Sequence, residues 1–171
     1  MKQRVHYLAL AAMMLAGSAV RGPWISPDET IYALLGQSLY QHGSLAIVGG
    51  PTPFYSLTVP VLVGPFLSLH DLELGYALLK PFLAFVMSLA AVPVYFWARS
   101  VAGRREALAA AVLTLAVPGL AYSGLVMSEV VFYPVFTLAA WAAARAIAVP
   151  TWGRAAVLAL AAAHAASVKA G

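Results

Sequence analysis

Residues 72–98 read LELGYALLKPFLAFVMSLAAVPVYFWA, and this stretch decides the class of the fold. Only Glu73 and Lys80 carry a charge in it, and Pro81 and Pro93 interrupt it. An apolar stretch of about 18 or more residues with few charges is typical of a transmembrane helix, because it is long enough to cross the roughly 30 Å hydrocarbon core of a bilayer. Residues 72–98 are therefore predicted to cross a membrane.

The rest of the chain has the same character. Its 171 residues are 63% hydrophobic and 9% charged, with a mean hydropathy of +0.86, whereas soluble domains carry about 25% charged residues. A chain this short leaves much of its surface outside any core, so that surface is apolar and needs a lipid bilayer as its partner. The net charge of +4 comes from scattered basic residues, which argues against nucleic acid. The absence of cysteine excludes disulfides and thiolate sites.

Four further segments are predicted to span the membrane: residues 5–22, 106–126, 129–147 and 154–170. The first follows a basic start at Lys2 and Arg4 and ends near the small residues Gly17 and Ser18. It can be a cleaved signal peptide or an uncleaved first helix. The second interpretation is favoured, because the apolar stretch is long for a signal-peptide core of about 7–15 residues.

Residues 21–71 form the most polar part of the chain and are predicted to be a long outer loop. A helix over about 27–42 has apolar residues at helical spacing and ends at Gly43. It is too short and too polar on one face to span, so it is predicted to lie at the membrane surface. Residues 54–69 are apolar but contain Pro60 and Pro65, which favours a second interfacial or re-entrant helix.

The basic residues set the predicted orientation, since basic loops stay in the cytoplasm. They fall in three groups: Lys2 with Arg4, Arg99 with Arg104 and Arg105, and Arg145 with Arg154. All three groups face the cytoplasm only if residues 72–98 cross and residues 54–69 do not. The predicted fold class is all-α integral membrane, with about five transmembrane helices plus interfacial helices in the first outer loop. The protein is predicted to be a multi-pass protein of the cell (plasma or inner) membrane, with a cytoplasmic N-terminus.

This topology places Asp28, Glu129 and Lys169 on the outer side, at the ends of membrane segments. Charged groups there are costly and often functional. Each acid also has a structural interpretation. Ser26 to Glu29 fits a capping box with Ser26 as the N-cap, and an acid at a helix N-terminus is stabilised by the helix dipole.

Two other sets of residues have simpler interpretations. His42, His70 and Asp71 match no metal-ligand spacing and are predicted to be solvated loop residues, so no metal ligand is assigned. Aromatic residues near the segment ends are predicted to anchor at the membrane interface: Trp24, Tyr76, Trp97 and Trp152.

The order of several short motifs resembles one enzyme family. A first membrane helix followed by Pro27-Asp28-Glu29 and Tyr32-Ala33 looks like the start of lipid-carrier-dependent glycosyltransferases of the GT-C fold, which include the aminoarabinose transferases and protein O-mannosyltransferases. Pro51-Thr52-Pro53-Phe54-Tyr55 is similar to their Pro-Pro-Leu-Tyr stretch. Ser128-Glu129 and Ser167-Val168-Lys169-Ala170-Gly171 fall where the family carries Thr-Asp or Leu-Asp and Leu-Thr-Lys-Gly.

The resemblance implies transfer of a sugar from a polyprenyl-phosphate donor to an acceptor lipid, glycan or protein at the outer membrane face. Asp28 would be the catalytic base, and Glu129 would orient the acceptor or a metal. The resemblance also implies substrate contacts, with Lys169 and Arg21 as candidates for the phosphate and Glu29 and Tyr55 as further contacts. The cofactor stays open, since a divalent metal is compatible with the family and the sequence has no motif for one.

Two departures from the family bear on this interpretation. Many members carry a lysine just before the Pro-Pro stretch, where this chain has Val48-Gly49-Gly50. The family also has about twice as many spans, so the chain is predicted to be the N-terminal part of a longer enzyme and inactive alone. One alternative is a non-catalytic module that binds a polyprenyl lipid or a partner subunit. Another is a transporter fragment, which is disfavoured because transporter sites lie near the membrane midplane.

Overall fold

The computed structural model describes residues 26–51, 56–116 and 123–169. These residues form seven helices and one small hairpin. The helices are α1 (Pro27–His42), α2 (Thr58–Leu67), α3 (Leu72–Ser88), α4 (Ala91–Val101), α5 (Arg104–Leu115), α6 (Glu129–Ala148) and α7 (Trp152–Lys169), and the hairpin pairs β1 (Ala46–Ile47) with β2 (Gly50–Pro51). The prediction of a mostly helical fold is confirmed. The predicted first span over residues 5–22 lies outside the described residues.

Helix α1 ends where the sequence predicted. Gly43 follows it in the left-handed conformation (φ 67°), and its N–H donates to the Leu39 carbonyl at 3.0 Å. Glycine adopts this conformation without the steric cost of a Cβ. The chain then turns through the β-hairpin, whose tip holds Val48 at φ 51° and Gly49 at φ 79°. The hairpin was not predicted from the sequence.

Helices α1 and α2 pack closely against each other. The backbones approach at Gly36 and Gly64, where there is no room for a side chain on either helix. Pro65 has no N–H and so leaves the Val61 carbonyl without its helical donor. The Tyr40 hydroxyl donates to that carbonyl at 3.0 Å. With ten residues, α2 rises about 15 Å, which is half of the roughly 30 Å hydrocarbon core.

The segment predicted to cross at residues 72–98 is two consecutive helices with a break between them. Pro93 cannot donate to the Leu89 carbonyl, and its ring would clash with that carbonyl in a continuous helix. The N–H groups of Leu89, Ala90 and Val92 instead donate to carbonyls three residues earlier, at 3.0–3.2 Å. The helical run Leu72–Val101 is nevertheless 30 residues long in total.

Helices α4, α6 and α7 pack so that Arg99, Arg145 and Arg154 lie at the same end of the described helices. The rings of Phe96 in α4 and Trp141 in α6 lie 6.1 Å apart between centroids. Arg154 in α7 donates through Nη1 to the Val149 carbonyl at 3.0 Å and to the Arg145 carbonyl at 3.2 Å, at the C-terminal end of α6. The Arg145 carbonyl also accepts from the Val149 N–H that closes this helix. Arg99, at the end of α4, is therefore on the same side as these arginines.

Two helical runs in the described part of the chain are long and apolar enough to cross a membrane, Leu72–Val101 and Glu129–Ala148. The run Trp152–Val168 is apolar but shorter. The predicted span over residues 106–126 is represented by α5, which has twelve residues and ends at Leu115, and residues 117–122 are not described. Many large apolar side chains face outward, including Leu160, which is 73% exposed. Large exposed apolar surfaces are typical of sites that contact a membrane or another protein.

The predicted orientation can be tested by labelling, because the chain has no cysteine of its own. Three exposed positions serve as single-cysteine reporters: His70 before α3, Ser100 at the end of α4 and Thr151 before α7. In intact cells, a membrane-impermeant maleimide is expected to label His70→Cys only. Ser100→Cys and Thr151→Cys are expected to react after permeabilisation. Labelling of Ser100→Cys in intact cells would show that the orientation is wrong.

Candidate functional site

Four helix ends share one buried cluster at the side opposite the arginines. Tyr32 near the start of α1, Tyr76 near the start of α3, Val130 at the start of α6 and Val168 near the end of α7 all belong to it. The cluster buries these side chains to 9% exposure or less. The elements that carry Asp28, Glu129 and Lys169 therefore converge on a single packed region.

Asp28 is the exposed acid of this region. It is the second residue of α1, follows Pro27 at the first helical position, and its side chain is solvent-exposed. The free N–H groups of a helix N-terminus favour a negative charge there. An exposed carboxylate held at a helix end can accept a proton from a molecule that binds beside it.

Glu29 differs from its neighbour because its side chain is 1% exposed. Its carboxylate interacts electrostatically with Lys80 and Tyr76 of α3, which are themselves buried. The predicted capping box is wrong, since Ser26 makes no side-chain cap hydrogen bond and Thr30 donates instead, through Oγ1, to the Ser26 carbonyl at 3.1 Å. The substrate contact assigned to Glu29 stays a prediction.

The sequence did not single out Lys80, and it interpreted Tyr76 incorrectly. Tyr76 was predicted to be an interfacial anchor, but it is 9% exposed and belongs to the core. Lys80 is 3% exposed. A signal for it was available, because an ionisable residue inside an otherwise apolar segment needs a buried partner. By contrast, Trp152 is 93% exposed, as expected of a residue at a membrane interface.

Glu129 begins α6 and is half-buried. The Ser128 hydroxyl donates to Glu129 Oε2 at 3.4 Å, and the next residue, Val130, is fully buried in the cluster. The backbone of Glu129 is therefore fixed by packing, and its half-buried side chain lies at the N-terminus of α6.

The remaining predicted site residues are only partly described. Arg21 and Tyr55 lie outside the described residues, and Lys169 is described as the last residue of α7 without its side chain. Ser56, which directly follows the predicted Pro51–Tyr55 motif, is 2% exposed, and Val59 belongs to the core cluster. The chain therefore passes from that motif directly into the packed region.

The described residues contain no group of three or more side chains suited to hold a metal ion. Asp71, which the sequence predicted to be a solvated loop residue, caps α3 by accepting a hydrogen bond from the Leu74 N–H at 3.0 Å. His42 is at the end of α1 and His70 is in the loop before α3, and both are exposed. The three residues thus have separate surroundings.

A groove of about 360 Å³ opens where α3 and α4 meet α5. Its walls are mainly apolar, and they include Phe85, Leu89, Tyr95, Phe96 and Leu115. Ser88 also lines the groove, and its hydroxyl donates to the Phe85 carbonyl at 2.6 Å. The groove can therefore accept a hydrocarbon chain and offers little to a polar ligand.

No protein family model, no characterised protein and no solved structure is significantly similar to this chain.

Proposed function

We propose that the chain is the N-terminal membrane part of a glycosyltransferase of the GT-C type. It would transfer a sugar from a polyprenyl-phosphate donor to an acceptor at the outer membrane face. The observation that supports this function best is the convergence of α1, α3, α6 and α7 on one cluster. That convergence gathers the helix ends that carry Asp28, Glu129 and Lys169, the residues on which the resemblance to this family rests.

The chemistry assigns different roles to the two accessible acids. A hydroxyl or amide acceptor is a poor nucleophile, so Asp28 accepts its proton as the acceptor attacks C1 of the sugar. Glu129 orients the acceptor from the start of α6. The bond from C1 to the phosphate oxygen breaks, and the polyprenyl phosphate leaves without needing a proton. Its charge requires nearby cations, for which Lys169 and Arg21 are the candidates.

A second candidate function is a non-catalytic module that binds a polyprenyl lipid. The apolar groove between α3, α4 and α5 favours it, because a hydrocarbon chain matches those walls. This function needs no catalytic base. It therefore predicts that replacing either accessible acid leaves lipid binding unchanged.

The experiment that separates the two functions uses the protein expressed from its own locus with an N-terminal tag. Membranes from this strain and from a deletion strain are incubated with a panel of polyprenyl-phosphate sugars, and the released polyprenyl phosphate is measured. We expect polyprenyl phosphate to be released by membranes of the tagged strain and not by those of the deletion strain. We also expect the blotted band to lie well above the 17.9 kDa of this chain. A band near 17.9 kDa together with donor binding but no release would favour the lipid-binding module.

A further inference from the structure

A buried acid and a buried amine link two helices near the candidate site. Glu29 in the first turn of α1 and Lys80 in the middle of α3 are 1% and 3% exposed. They interact electrostatically, and Tyr76, one helical turn before Lys80 on the same face of α3, interacts with the same carboxylate. Helix α1 packs mainly against α2, and α2 packs against α3. Tyr32, three residues after Glu29 in α1, and Tyr76 belong to one buried cluster, so the buried faces of α1 and α3 that carry Glu29 and Lys80 meet there.

Such a connection has a specific physical use. Apolar packing holds helices together but tolerates small rotations and shifts, whereas a buried charge must meet its partner or remain unsolvated. Replacing both members of a buried pair by neutral groups is often tolerated, while removing one of them is not. A buried pair therefore contributes more to a defined arrangement than to overall stability.

The arrangement that this pair defines includes Asp28. Asp28 and Glu29 are consecutive residues in the same helical turn, one exposed and the other buried. Anchoring the Glu29 side chain on α3 fixes the rotation of α1 about its axis at this turn, and so fixes the direction in which Asp28 projects. We propose that Glu29 and Lys80 are positioning residues that hold the first turn of α1 and orient Asp28. The catalytic consequence rests on the proposed function, but the positional effect does not.

The test uses Asp28→Cys as a reporter in this chain of 171 residues, which contains no cysteine of its own, in lipid nanodiscs. A cysteine thiol at an ordered helix N-terminus has a pKa below its usual value of about 8.5. The rate of maleimide labelling is measured against pH in the reporter alone and in combination with Lys80→Met. We expect the midpoint of the pH profile to rise towards that usual value in the combined variant. Labelling at neutral pH is then expected to slow by about fivefold or more, within the range shown by coupled neighbouring residues.

Two controls make the result specific. Lys80→Arg keeps the positive charge and is expected to leave the midpoint of Asp28→Cys near that of the reporter alone. Thr151→Cys, an exposed position immediately before α7, is also a helix N-terminal thiol, and its midpoint is expected to be insensitive to Lys80→Met. A general loss of structure would move both reporters together.

An unchanged Asp28→Cys midpoint in folded Lys80→Met would overturn the proposal. Glu29→Gln, which also replaces Lys80→Met if that variant does not accumulate, separates position from charge. Loss of a neighbouring negative charge alone would lower the midpoint of the Asp28→Cys thiol, whereas loss of the anchored helical turn raises it. An unchanged or lowered midpoint in folded Glu29→Gln would therefore also overturn the proposal. Because labelling requires no transfer, the result is independent of the proposed function. If Asp28→Asn retains transfer while the midpoint still shifts, the assignment of the base is wrong and the positioning pair stands.

Discussion

Transfer by the Asp28→Asn variant of the intact enzyme is expected to fall by about 10²- to 10⁴-fold, the contribution of a positioned general base. Asparagine keeps the size of the side chain but cannot accept the proton of the acceptor. Because Asp28 is exposed, the substitution leaves no buried group without its partner, and the protein is expected to accumulate in the membrane normally. The measurement is the initial rate of polyprenyl-phosphate release at a saturating donor concentration, normalised to the amount of enzyme.

Glu73→Gln provides a matched control for this substitution. Glu73 is the second residue of α3, as Asp28 is of α1, and both carboxylates are exposed in the first turn of a helix. Any effect that comes only from removing an acid at a helix N-terminus is therefore shared by the two variants. Glu73→Gln is expected to retain full transfer. Near-normal transfer by Asp28→Asn would remove Asp28 from the role of base.

Local patterns in the sequence predicted much of the helical structure. The start of α1 at Pro27 and its end at Gly43 depend on residues whose backbone preferences act locally. The break at Leu89 and Ala90 could also have been predicted from Pro93, although residues 72–98 were treated as a single span. Each of these features depends on residues within one or two turns, so the sequence carries the information directly.

The pairing of Glu29 with Lys80 was not predictable in the same way. The two residues are 51 positions apart, and the local pattern around Glu29 matched a capping box well. Tertiary packing overrides that pattern, because turning Glu29 inward places it against α3 and leaves Asp28 outside. The sequence singled out Asp28 and Glu29 together, but the division between exposed and buried acid depends on the neighbouring helices.

The close approach of α1 and α2 leads to the second large expected effect. Gly64→Ala is expected to destabilise the protein by about 1–3 kcal/mol, the usual cost of inserting a methyl group into a packed interior. A Cβ at this position would overlap the ring of Tyr40 and lie 2.7 Å from the Gly36 carbonyl oxygen. The helices must therefore separate, which also strains the hydrogen bond from Tyr40 to the Val61 carbonyl. The measurement is the free energy of unfolding in mixed detergent micelles.

Gly153→Ala is the matched control, because Gly153 is also helical and a Cβ there would meet no atom within 4 Å. Alanine is the better helix former, so this variant is expected to gain up to about 1 kcal/mol. Adding Tyr40→Ala to Gly64→Ala distinguishes the two causes of strain. The ring can be removed, but the Gly36 backbone oxygen cannot, so the double variant is expected to stay less stable than Tyr40→Ala alone. Equal stability of those two variants would mean that only the tyrosine ring opposes a side chain at position 64, and that the two backbones are not in close contact.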